Sequence, residues 1–197
     1  MKKENIKKLT LGSIFLIASL AIAYISVLYL YKIYPNLPTQ PDFLFEHLPY
    51  LNVLFIADLV ILIAIVSFII FIIKKKKFKE IPFYATVVGI YYLTRSALIY
   101  ATPMSNPYLG SSWFKIFPSG GMFPSGHIGL TFILFLFTLN NKSKNWNIYF
   151  IVLIIFEIAS MLLSRGHYTI DIVGAIFIAY CIWKICDNYL KKKLVLK

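Results

Sequence analysis

Long apolar stretches separated by short polar segments run through the whole chain. Six of these stretches are predicted to form helices, at residues 9–31, 51–73, 81–101, 124–139, 146–163 and 168–185. A helix needs roughly 20 predominantly apolar residues to cross a bilayer. The pattern therefore predicts an all-α integral membrane protein with six transmembrane helices in a single membrane domain, residues 1–197.

Prolines mark the polar segments between the apolar stretches. Segment 32–50 contains four of them, Pro35, Pro38, Pro41 and Pro49, and prolines at that density argue against a helix through the segment. We interpret its three ionisable residues as ordinary loop residues: Asp42, Glu46 and His47. The first apolar stretch is too long for the core of a signal peptide, so we interpret it as an uncleaved membrane helix.

Composition strengthens the membrane prediction. Apolar residues make up 59% of the chain and charged residues 14%, against about 45–50% and about 25% in soluble domains. Cys181 and Cys186 lie on the last apolar stretch, and their spacing is typical of neither a zinc site nor a disulfide.

The net charge of +12 comes largely from lysines that cluster between the apolar stretches, at 2–8, 74–79, 142–144 and 191–193. Since basic residues stay in the cytoplasm, these clusters predict that both termini are cytoplasmic. The other loops then face outside, or the lumen of an internal compartment. No soluble basic face is left to bind nucleic acid.

Two of the three histidines, His127 and His167, lie where an apolar stretch meets a short polar loop on the predicted outer side. His167 and Asp171 are four residues apart, so on a helix they share one face and can touch. A histidine held by a carboxylate, with a second histidine nearby, suits nucleophilic and acid–base chemistry.

Candidate anion-binding groups surround these histidines. Ser125 and Gly126 are predicted at the start of the fourth helix, where unpaired N–H groups and the helix dipole favour an anion. Arg95, Lys115 and Arg165 are candidate cations for a phosphate group. For Lys115 the alternative is a solvated loop charge, and for Arg165 it is a side chain extending to the membrane interface.

Two acidic residues, Asp58 and Glu157, lie inside predicted membrane helices, where a carboxyl group is costly unless it has a role. They either support the histidine site from behind, pair structurally, or serve as the ion sites of a small proton-coupled transporter. A further alternative is that His127, His167 and Asp171 are metal ligands of the two-histidine, one-carboxylate kind.

Two motifs resemble a known family. The segment FPSGH at 123–127 resembles the second signature of the type-2 phosphatidic acid phosphatase superfamily, and HYTID at 167–171 resembles its third. Within the superfamily, HYTID is most similar to the sphingomyelin synthase and related phosphotransferase branch. Residues 95–103 also resemble an arginine-bearing stretch of those enzymes.

The resemblance implies a membrane lipid phosphatase or phosphotransferase whose catalytic core spans about 81–190, at the outer face of the plasma membrane or an endomembrane. His167 would attack phosphorus to form a phosphohistidine, Asp171 would hold the other ring nitrogen, and His127 would protonate the departing alcohol. The implied substrate is a phospholipid or isoprenoid lipid phosphate, and the acceptor is water or a lipid alcohol. The resemblance implies neither a metal nor a cofactor, and the oligomeric state is left open.

Overall fold

The computed structural model describes residues 3–107, 123–139 and 143–196. The regular structure in these ranges is entirely helical. Its α-helices are α1 (Lys3–Ile33), α2 (Phe43–His47), α3 (Leu54–Lys74), α4 (Ile81–Ala101), α5 (Gly126–Leu139), α6 (Lys144–Leu163), α7 (Thr169–Tyr189) and α8 (Lys191–Leu194). A 3₁₀ turn, Phe78–Glu80, leads into α4.

Each of the six predicted apolar stretches is a helix, and the boundaries differ by up to six residues. Helix α1 begins at Lys3 rather than near residue 9, and an ion pair between Lys8 and Glu4, 3.2 Å apart, supports its polar first turns. Helix α7 continues to Tyr189, four residues beyond the predicted end.

No helix runs through the whole of segment 32–50, as its prolines predict, but the segment contains one short helix. The short helix α2 fits between Pro41 and Pro49, because proline opposes a helix only from inside it. Asp42 caps this helix by accepting a hydrogen bond from the Leu44 amide at 3.0 Å.

Helix α5 lies at the centre of the bundle, in contact with α3, α4, α6 and α7, and α1 packs along α4. Its 14 residues make it the shortest of the six long helices, yet most of its side chains are buried. Near its C-terminal end, the rings of Phe68, Tyr84 and Phe137 pack with centroids 4.3–5.6 Å apart. This aromatic core joins α3, α4 and α5.

Four of the described helices are long and apolar enough to cross a membrane: α1, α3, α6 and α7. The chain is therefore an integral membrane protein. Helix α5 is apolar but would be only about 21 Å long, shorter than a hydrocarbon core of about 30 Å, and α4 is not among the four. The predicted count of six spans stays a prediction.

The lysine clusters at the start of α1, after α3 and at the C-terminus lie at the end of the bundle opposite to the candidate catalytic residues. Helices α1 and α4 run parallel, since Gly12 lies against Pro82 and Gly89 against Phe15. The C-terminal tail returns to the same end as the start of α4, where the Leu196 amide donates to the Lys79 carbonyl at 2.8 Å. The ends of α4 and α6 and the starts of α3, α5 and α7 meet at the other end.

Candidate functional site

A tight turn after α6 places His167 at the entry to α7. The Arg165 amide donates to the Leu162 carbonyl at 3.1 Å, and the Gly166 amide donates to the Met161 carbonyl at 2.8 Å. This pair of bonds is the Schellman motif, which ends a helix with one residue in the left-handed region. Arg165 occupies that position with φ 54°, and two residues later the chain reaches His167.

His167 is held by Asp171, as the spacing of four predicts. Its Nδ1 atom lies 3.1 Å from Asp171 Oδ2, which also accepts a hydrogen bond from the Tyr168 amide at 3.0 Å. Asp171 is fully buried and His167 is 7% exposed. With Nδ1–H donating to the carboxylate, the lone pair of Nε2 is left for a nucleophilic role.

The surroundings of His167 favour its neutral form. Burial lowers the pKa of His167 below the ordinary histidine value, and the positive neighbours His127 and Arg95 act in the same direction. The Asp171 carboxylate opposes this shift through its hydrogen bond and charge. A neutral imidazole is the form that can attack an electrophile.

His127, in the first turn of α5, is also paired with a carboxylate. Its Nε2 atom lies 3.2 Å from Oδ1 of Asp58 on α3. Both side chains are partly exposed, 27% for His127 and 17% for Asp58. Of the alternatives open for Asp58, the structure therefore shows direct contact with a candidate catalytic histidine.

Two hydrogen bonds anchor the start of α5 beside α7 and α4. The Ser125 amide donates to the Asp171 carbonyl at 3.1 Å, and the Tyr91 hydroxyl donates to the Ser125 carbonyl at 2.7 Å. The Ser125 hydroxyl is buried and accepts from the Ile128 amide at 3.4 Å, as a helix cap does. Ser125 thus links the two candidate catalytic segments through the backbone.

Of the predicted cations, Arg95 contacts the start of α5. Its Nε donates to the Pro124 carbonyl at 2.9 Å. A Cβ atom at Gly126 would lie 3.3 Å from the same nitrogen, so the missing side chain lets the guanidinium lie against the start of α5. Arg95 also interacts electrostatically with His167. An anion between these groups would meet positive charge.

Arg165 points elsewhere. Its guanidinium donates to the Phe45 carbonyl at 3.2 Å and lies 5.7 Å from the centroid of the Phe45 ring and 5.8 Å from that of Tyr50. The charged neighbours of His167 are Asp171, His127 and Arg95 instead. The phosphate contact predicted for Arg165 stays a prediction. Lys115 lies outside the described residues.

Glu157 is fully buried in α6, and neither of its carboxylate oxygens has a hydrogen bond within the described ranges. It interacts electrostatically with His127, and the buried hydroxyl of Thr131, one turn along α5, is a polar neighbour.

Among the described residues, no three His, Cys, Asp or Glu side chains come together as a metal site would require.

The interpretation of Asp42 as an ordinary loop residue is wrong. Its Oδ2 accepts a hydrogen bond from the Thr169 amide at 2.6 Å, and its Oδ1 accepts one from the Thr169 hydroxyl at 2.8 Å. Residues 38–50, which we call the strap, thereby cross the start of α7. The partners are 127 positions apart in sequence, so no local pattern signals the contact.

The fold and the site together define a class: an α-helical membrane protein with two carboxylate-paired histidines and an arginine at one end of its bundle. Residues 120–189, about a third of the chain, match the family model described as PAP2 superfamily C-terminal. The match supports the resemblance to the type-2 phosphatidic acid phosphatase superfamily that the motifs predicted, and with it an enzyme of the lipid phosphatase or phosphotransferase type. A comparison with curated proteins gave no match.

Proposed function

We propose that the protein cleaves a lipid phosphoester through a phosphohistidine intermediate at the outer face of a membrane. The observation that carries the proposal is the arrangement around His167: a buried carboxylate on Nδ1, with His127 and Arg95 as charged neighbours. The superfamily match supports the same type of chemistry.

In the first step, Nε2 of neutral His167 attacks phosphorus, and the bond from phosphorus to the lipid alcohol breaks. Asp171 stabilises the positive charge that develops on the ring. His127 gives a proton to the departing alkoxide, and Asp58 balances the charge of the protonated His127 ring.

In the second step, His127 removes a proton from the acceptor, which attacks the phosphohistidine and releases His167. Water as acceptor gives a phosphatase, and a lipid alcohol gives a phosphotransferase. Arg95 and the amides at the start of α5 would balance the charge of the phosphoryl oxygens in both steps. Phosphohistidine formation requires no metal or cofactor.

The distribution of charge supports a proposal for the side of the membrane. The lysine-rich segments lie at the end of the bundle opposite to His167, and basic residues stay in the cytoplasm. We therefore place both termini in the cytoplasm and the site outside or in a lumen, with α4 and α5 completing six membrane-embedded helices.

Purified protein in detergent, offered phosphatidic acid, an isoprenyl diphosphate, and phosphatidylcholine with diacylglycerol or ceramide, tests the proposal. We expect EDTA-resistant release of phosphate, or transfer of a head group, that is lost in His167→Ala and His127→Ala. His47→Ala is the matched control, because His47 is exposed on the strap and its ring bonds only the Phe43 carbonyl in the described structure.

The products decide between related activities. Free phosphate identifies a phosphatase, and a new phospholipid without free phosphate identifies a sphingomyelin synthase-like transferase. Loss of activity with EDTA would instead favour histidine-bound metal. Inactivity on every substrate would overturn the proposal and favour a small proton-coupled transporter that uses Glu157.

A further inference from the structure

The strap contacts the chain immediately on both sides of His167. On one side, Arg165 donates to the Phe45 carbonyl. On the other, the Tyr168 hydroxyl accepts from the Gln40 amide at 3.0 Å, and Thr169 donates twice to Asp42. The segment that carries His167 is thus held from outside the bundle by a part of the chain far away in sequence.

The two bonds to Asp42 satisfy groups that α7 itself leaves open. Thr169 is the first residue of α7, and an amide in the first turn of a helix has no partner within that helix. Asp42 supplies the missing acceptor for the amide and also binds the hydroxyl of the same residue. Its Oδ1 is fixed in turn by the Leu44 amide.

Asp171 lies two residues beyond Thr169 in the same turn of α7. The Asp171 carboxylate binds both the His167 ring and the Tyr168 amide. A shift or rotation of this turn would therefore move the carboxylate relative to the imidazole. Misplacement of a catalytic group by about 1 Å can cost on the order of 100-fold in rate.

We propose that Asp42 is a positioning residue for the reaction: by binding Thr169 it fixes the first turn of α7, and with it the geometry between Asp171 and His167. The proposal rests on the proposed function of His167 as nucleophile. Asp42 itself does not contact the reacting atoms in this scheme.

Graded variants in the full-length protein test the proposal. Asp42→Ala removes all acceptors, Asp42→Asn weakens them, and Thr169→Val removes only the hydroxyl donor. We expect Asp42→Ala to lower kcat about 10- to 100-fold, and the two milder variants to lower it less. Thr169→Ser keeps both donors and should retain activity, as should Glu46→Gln, which changes an exposed acid on the same strap.

A double-mutant cycle separates a positioning role of Asp42 from a general effect on protein stability. The Asp42→Ala/Thr169→Val double variant should be no slower than Asp42→Ala alone, because both changes remove one interaction. Thermal unfolding of each variant, followed in detergent, should show that the protein is folded at the assay temperature. Multiplying effects, or full activity in Asp42→Ala, would overturn the proposal.

NMR spectroscopy tests the positioning role of Asp42 independently of turnover. The ¹H–¹⁵N signals of the His167 ring report its hydrogen bond to Asp171, and we expect them to shift in Asp42→Ala and not in Glu46→Gln. Shifted signals in a protein that turns over no lipid phosphate would contradict the proposed function while retaining the positioning role. Unshifted signals would overturn the positioning role whatever the activity.

Discussion

His167 has its Nδ1 atom bound to a carboxylate that water does not reach. Asp171 stabilises the charged ring, while burial and the charges of His127 and Arg95 oppose it, and the net effect lowers the pKa of His167. The ring therefore stays unprotonated to lower pH than an exposed histidine would. An unprotonated ring is the form that the proposed nucleophilic attack requires.

We expect the acid limb of the kcat/KM profile to lie below pH 6.5, the ordinary histidine value, because activity falls only when the nucleophile becomes protonated. Asp171→Asn removes an influence that raises the pKa of His167, so its acid limb should move lower still while kcat falls on the order of 100-fold or more. Steady-state kinetics on a phosphate ester between pH 4 and 9 measures both. An acid limb above pH 6.5 would contradict this account of His167.

Asp58 contacts His127, which is the proton donor in the proposed mechanism. Asp58→Asn should lower kcat about 10- to 100-fold on a lipid phosphate, because the protonated His127 ring loses its counter-charge. The defect should shrink with a nitrophenyl phosphate, whose leaving group needs no proton. His167→Ala should stay inactive on both substrates, and an equal defect of Asp58→Asn on both would contradict a role in proton donation.

At the scale of elements, the short helix α5 carries His127 and touches four other helices. Its close approach to α4 depends on one glycine. A Cβ atom at Gly129 would overlap the Tyr91 hydroxyl oxygen, which itself donates to the Ser125 carbonyl. The ring of Tyr91 thus fills the space that a side chain on α5 would need.

Gly129→Ala should therefore force α4 and α5 apart and move Ser125. Overpacking of this kind typically costs about 1–3 kcal/mol, so we expect a clear fall in the unfolding temperature in detergent together with reduced activity. Leu139→Ala, at the exposed end of the same helix, is the control and should change neither much. Wild-type stability and activity in Gly129→Ala would show that the contact with Tyr91 is not needed.

At the scale of the whole molecule, the lysine-rich segments are far from the candidate catalytic residues. Lysine-rich segments lie at one end of the bundle and His127, His167 and Arg95 at the other, so a membrane would place them on opposite sides. The orientation then decides which leaflet supplies the substrate.

Single cysteines on a background with Cys181 and Cys186 replaced by serine test the orientation. Glu46→Cys, on the strap, should react with a membrane-impermeant maleimide applied to intact cells. Lys76→Cys, at the lysine-rich end, should react only after permeabilisation. The reverse pattern would place the site in the cytoplasm.

The sequence by itself determined the six long helices, because apolar stretches of membrane length and prolines between them leave the backbone little choice. The spacing of four also predicted that His167 and Asp171 meet, although His167 lies just before α7 and Asp171 reaches back to it from the first turn of that helix. The motifs at 123–127 and 167–171 showed the resemblance to the superfamily because each is a short contiguous segment.

Only the tertiary structure decided which groups face one another across helices. Asp58 meets His127 from another helix, Arg165 extends toward Phe45 and Tyr50, and Asp42 binds Thr169 across 127 positions. None of these contacts has a signature in local spacing, because each depends on how separate elements pack. Periodicity specifies the face that a residue takes on its own helix, whereas its partner is fixed by the packing of the bundle.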